Sequence, residues 1–172
     1  MKFIAPLLLA FPLNLIPLKI VSLSALLLTA CTTAQEDSNY PFYKQQLGDK
    51  EFIQDTMHNQ SAWFTLLSNI TKNLNNGNEE WLEIAGQFRA HSDAGASESL
   101  NIAVASVLPN RPDMVLQAVD HGFKLERLCR VPFIEPDEQT VKHFIQSSSQ
   151  KLEKLAGEGN QRAANCLQQL NG

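Results

Sequence analysis

The chain has 172 residues, 44% of them hydrophobic, with 14 Lys and Arg against 18 Asp and Glu and a formal charge of −4. That length suits one folded domain or at most two small ones, and the composition is neither collagen-like nor low-complexity. Without residues 1–30, whose only charges are Lys2 and Lys19, 12 basic and 18 acidic groups remain, a formal charge of −6 with no basic cluster, which excludes phosphate neutralisation along a nucleic acid and electrostatic docking on anionic lipid.

In chain order, residues 1–30 begin with a basic residue, continue as an apolar stretch and end in small residues before Cys31. This is the pattern of a secretory signal. Leu28-Thr29-Ala30-Cys31 resembles the lipobox of bacterial lipoprotein precursors, an aliphatic residue and two small ones ahead of an obligatory Cys. The resemblance implies that the Cys31 thiol receives a diacylglyceryl group, that the signal is cut after Ala30, and that the new α-amine is acylated. Two or three chains on one residue meet the requirement for stable anchoring, since each buried methylene contributes roughly 0.8 kcal/mol. A spanning helix fits less well. Lys19 interrupts the apolar run, Pro6, Pro12 and Pro17 break its first half, and the stretch that follows Lys19 is shorter than the roughly 20 residues a span needs. The signal is long for its type, and Leu18-Lys19-Ile20 would open a compact one from an alternative start. Thr32 stands where the enteric sorting rule places Asp in lipoproteins kept at the inner membrane, which implies the outer membrane and its periplasmic face. Residues 31–48 read as a polar tether whose Tyr40, Phe42 and Tyr43 dock its far end.

Residues 49–172 show helical periodicity almost throughout and no long strand alternation. A short helix is expected over 49–58. A second starts at Ser61 as N-cap, carries Trp63, Leu66, Leu67, Ile70 and Leu74 on one face, and stops at Asn75-Asn76-Gly77. Asn78 is expected to cap a third, with Glu79 and Glu80 in the first turn, where the helix dipole favours acids, and Trp81, Ile84, Ala85 and Phe88 inside. A fourth runs from Ser92 or Asp93 to Leu108. Pro112 opens a fifth, closed by His121-Gly122. One more turn covers 124–129, followed by an extended segment over 131–135. The longest helix is expected over 136–156, and a last one over 160–170 brings together Ala163, Cys166, Leu167 and Leu170. The expected fold is all-α, about six helices in stacked α-hairpins, a small bundle or short solenoid closed by one disulfide.

Three cysteines leave an odd one, and lipidation of Cys31 consumes it. Cys129 and Cys166 then form one bridge in an oxidising compartment. A zinc site would want closer Cys or His spacing, and a redox pair would want neighbouring cysteines. His91-Ser92-Asp93 contains the residue types of a hydrolase triad, but adjacent residues rarely converge on one atom, and helix capping explains them. His58, His91, His121 and His143 form no His-x-x-x-His or His-Glu-x-x-His pattern. The acids Glu79, Glu80, Glu135, Asp137 and Glu138 fall at helix N-termini, where they are stabilising in any case. No Gly-rich phosphate loop or dinucleotide fingerprint occurs, so no cofactor or metal is expected.

Phe64 lies off its helix stripe and is expected to contact the docked tether or a partner. The segment Leu128-Cys129-Arg130-Val131-Pro132-Phe133-Ile134-Glu135-Pro136 has two readings. Either it presents Phe133 and Arg130 to a partner, or it is a pinned connector whose Phe133 and Ile134 fill the core. The resulting expectation is a lipid-anchored, non-enzymatic periplasmic protein that captures a protein partner, as an immunity protein, an inhibitor or an envelope accessory factor. An envelope hydrolase using acids or His from different helices is the first alternative, and a structural envelope lipoprotein the second.

Overall fold

The computed structural model describes residues 39–172; the expected signal peptide 1–30, the lipidation site Cys31 and tether residues 32–38 lie outside the described residues. Among the described residues the fold is all-helical, with nine α-helices and one 3₁₀ turn. The elements are α1 (Tyr40–Gln46), α2 (Lys50–His58), α3 (Gln60–Asn75), α4 (Glu80–His91), α5 (Ala94–Ala105), α6 (Pro112–Gln117), the 3₁₀ turn Ala118–His121, α7 (Leu125–Leu128), α8 (Glu138–Gly157) and α9 (Gln161–Leu170). The class agrees with expectation and the count exceeds about six. Connectors coil into short helices, because a chain buried between helices must pair its own amides locally.

The caps explain the boundaries. Asp49 accepts the N–H groups of Glu51 and Phe52 at 2.9 and 3.1 Å and opens α2. Asn59, not Ser61, caps α3. Its backbone N–H still donates to the Asp55 carbonyl of α2, while its side chain accepts from Ala62 N–H at 3.1 Å. One extended Asn thus ends one helix and starts the next, leaving no linker. Asp93, Asp137 and Asn160 cap α5, α8 and α9 by the same device. Asn78 does not cap α4: its amide donates to the buried Asn73 Oδ1 at 2.7 Å instead. Between them Gly77 turns at φ +85°, and a Cβ there would lie 2.0 Å from the Arg111 guanidinium.

The helix α4 is the centre of the domain. Trp81, Leu82, Ile84, Ala85 and Phe88 are all at most 1% exposed, so it is covered on several sides. It meets α2, α3, α5 and the 3₁₀ turn. Gly86 is where it touches that turn, since an added Cβ would stand 2.9 Å from both the His121 carbonyl oxygen and Cβ. Rings of four helices meet beside it: Tyr43 lies 5.7 Å from Trp81, Phe52 6.5 Å from Phe88 and Trp63 6.3 Å from Phe88. This cluster recruits α1, which occupies sequence read as the docked end of the tether. Of these rings Trp81 and Phe88 are fully buried, and full burial of an aromatic such as Phe contributes roughly 1.5–3 kcal/mol.

The helix α5 packs on α3 as well as on α4, so successive hairpins interleave rather than stack in order. The pair α8 and α9 forms an antiparallel hairpin turned at Gly159, φ +92°, with Phe144, Ser148 and Leu152 on one helix and Ala163, Cys166 and Leu170 on the other buried. Among the described residues no helix is long and apolar enough to cross a membrane.

Candidate functional site

The connector between α7 and α8 carries the features that stand apart from ordinary packing. It leaves α7 at Cys129, whose N–H donates to the Leu125 carbonyl at 2.9 Å. The Cys129–Cys166 disulfide joins it to α9 across 37 residues, with Cα atoms 5.1 Å apart. Both half-cystines are buried.

Arg130 follows and pairs with Glu98 of α5. That carboxylate also accepts from Asn101 Nδ2 at 3.1 Å, and Asn101 Oδ1 accepts from Arg89 Nη1 at 2.8 Å. Arg89 donates further to the Ser97 carbonyl at 2.9 Å and lies over the Phe123 ring at 5.2 Å. Its desolvation by burial lowers its pKa from the usual guanidinium value. A chain of charge-assisted bonds therefore ties the base of the connector to α4 and α5.

Past Arg130 the backbone runs outward. Pro132 is buried and acts as a foot. Phe133 packs edge-on against Phe144 at 5.4 Å yet stays 40% exposed. Ile134 is 85% exposed. The connector reading that filled the core with both residues is thus corrected: Pro132 and Phe144 already occupy the space beneath. Glu135 then adopts φ +47°, the one positive φ at a non-glycine among the described residues. This left-handed conformation costs about 1–2 kcal/mol for a residue with a side chain and persists only where neighbours enforce it. Two residues on, Asp137 caps α8, its carboxylate accepting from Thr140 N–H at 2.8 Å and Thr140 Oγ1 at 2.6 Å. Those two bonds hold the Asp137 carboxyl below its ordinary pKa.

Beside the protruding tip lies a groove of about 540 Å³ bordered by Ser106, Asn110, Phe133, His143 and Phe144. A depression of about 560 Å³ continues along α8 past Glu138, Lys142 and Gln146.

Phe64 is 59% exposed on α3. Its ring joins neither Phe133 nor the aromatic residues of α1, whose partners are Phe52, Trp81 and Phe88. The structure therefore brings Arg130 and Phe133 into one connector and leaves Phe64 apart. Ile134 is the residue that sequence reasoning named only as a core filler and not as a contact; its signal was an unbroken apolar pair between two prolines that no helix could absorb.

A second cleft of about 500 Å³ opens where the C-terminal ends of α2 and α4 meet the start of α5, and it gathers His58, His91, Trp63 and Asp93. Ser92 Oγ is 2.8 Å from the Arg89 carbonyl and 2.5 Å from Ser97 Oγ, and Asp93 accepts from Ala96 N–H at 2.8 Å. Both residues act as helix-end caps. Among the described residues no three His, Cys, Asp or Glu side chains are placed to hold a metal ion. Comparison with protein-family models, with curated proteins and with solved structures finds no match to this chain.

Proposed function

We propose that the mature chain is a lipid-anchored, non-enzymatic protein on the periplasmic face of the outer membrane, and that it binds a protein partner. The partner relation is that of an immunity protein or inhibitor to its target, or of an accessory factor to an envelope machine. The observation that supports this reading best is the Arg130–Glu135 connector, which holds Phe133 and Ile134 out in water. Exposed large apolar side chains on a rigid support are the usual anchors of protein interfaces. The lipobox-like Leu28-Thr29-Ala30-Cys31 supplies the tether. The polar residues nearest to a catalytic string, Ser92 and Asp93, are occupied in capping, which favours binding over hydrolysis.

Two measurements test the reading. Intact mass spectrometry of the native product is expected to show an acylated chain beginning at Cys31; a product that keeps residues 1–30 overturns the anchor. Purification from membranes in mild detergent is expected to bring down one stoichiometric protein, and recovery of the chain alone overturns the binding role.

A further inference from the structure

We infer that the Phe133–Ile134 tip is the contact element itself, and that its occupant is a protein pocket with an apolar seat and a rim of Lys and Arg. This rests on the partner-binding reading above and adds which surface is used and what chemistry receives it.

Three observations converge on the tip. Ile134 and Phe133 are adjacent and 85% and 40% exposed, so one insertion would bury both. The backbone that presents them is already ordered. Cys129–Cys166 and Arg130–Glu98 hold one end, the Asp137 cap holds the other, and Glu135 stays left-handed between them. A loop fixed in its presenting shape loses little freedom on binding, which is the advantage of preorganisation.

Charge selects the occupant. Glu135, Asp137 and Glu138 surround the tip and are exposed. Glu135 and Glu138 take part in none of the ion pairs among the described residues, and Arg130 is already engaged by Glu98; Lys142 stands one turn beyond Glu138 and Lys151 is bonded to the Asn110 carbonyl, so the three acids outnumber the cations around the tip. Acids in excess beside an apolar tip repel the anionic headgroups of a bilayer. They also repel the same loop of a second copy. They attract a pocket edged with basic groups, where complementary charge speeds encounter and sets register. The adjoining groove of about 540 Å³, with Asn110 and His143 on its walls, leaves room for that rim to descend beside Phe133.

The test is photo-crosslinking of the full-length chain in its own host, with p-benzoylphenylalanine in place of Ile134 or, separately, of Phe64. The expected result is an adduct from position 134 to one protein, mapping to an apolar segment that contains Lys or Arg. Against that purified protein, Ile134→Ala should weaken binding roughly 10- to 100-fold, the equivalent of one buried aliphatic side chain. Glu135→Lys combined with Glu138→Lys should weaken it further at low salt and reverse the salt dependence. Far-UV circular dichroism of these variants should match the parent, because all three side chains are exposed. Adducts from position 134 to lipid, to a second copy, or to a segment lacking basic residues would overturn the inference. An adduct to one protein from position 64 alone would overturn it while leaving partner binding intact. No protein adduct from either position would remove both.

Discussion

Reducing the Cys129–Cys166 bridge measures how far the domain depends on a covalent staple. The bond closes a segment of 37 residues. In the chain-entropy model a loop of that length takes about 4 kcal/mol of freedom from the unfolded ensemble. Both half-cystines sit in the core, at 1% and 0% exposure, so reduction opens no cavity and the two thiols need only move apart to van der Waals distance. The expected loss is then nearly the whole entropic figure, a large share of the roughly 5–15 kcal/mol by which domains are stable. Urea unfolding followed by far-UV circular dichroism, with and without a phosphine reductant, gives the difference directly. The slope against urea should also rise, because the uncrosslinked chain exposes more surface on unfolding. A difference under about 1 kcal/mol would refute the reasoning, since it would mean that residues 129 and 166 stay close in the unfolded chain without the bond.

Gly86→Ala should lower the melting temperature although Ala is the better helix former by about 1 kcal/mol. The new methyl would meet the His121 backbone oxygen at 2.9 Å, and overpacking of that kind costs roughly 1–3 kcal/mol; a raised melting temperature would show that the 3₁₀ turn can retreat. Asn101→Leu keeps the volume but strips both Arg89 and Glu98 of a partner, for an expected loss of about 2 kcal/mol in urea titration. A change within about 0.5 kcal/mol would show that the Ser97 carbonyl and the Phe123 ring satisfy Arg89 alone. Asp113, Asp120 and Asp137 are held below the ordinary 3.8 by hydrogen bonds from Arg111, Arg162 and Thr140 respectively. The unfolded chain therefore takes up these protons first, so this stabilisation is full at neutral pH and fades as pH falls below about 3.8 through the depressed values. Urea midpoints at pH 3 and pH 6 check the sign, and a midpoint that is higher at pH 3 contradicts it. Because these carboxylates lie at the surface, added salt should shrink the part that Arg111 and Arg162 supply.

Helix interiors were legible because burial repeats with the helical period. Of the stripes Trp63-Leu66-Leu67-Ile70-Leu74 and Trp81-Ile84-Ala85-Phe88, every residue but the partly buried Leu67 is buried as the spacing requires. The cap at Asp93 was legible, while Asn59, which serves two helices, was missed and Asn78, whose amide bonds Asn73 instead, was misread. The start of α1 was not, since Pro41 and the polar residues around it resemble a linker until Tyr43 finds Trp81.

By itself the sequence determined the all-helical class, the inward faces of α3 and α4, and the expected pairing of Cys129 with Cys166, since these follow from residue type and local spacing. Only the tertiary structure decided that α5 lies on α3, that Arg130, Glu98, Asn101 and Arg89 form one chain, that His58 and His91 share a cleft, and that Ile134 stands in water. Those outcomes depend on how surfaces far apart in the chain fit against each other, and a local period carries the direction of a side chain without naming the neighbour it will meet.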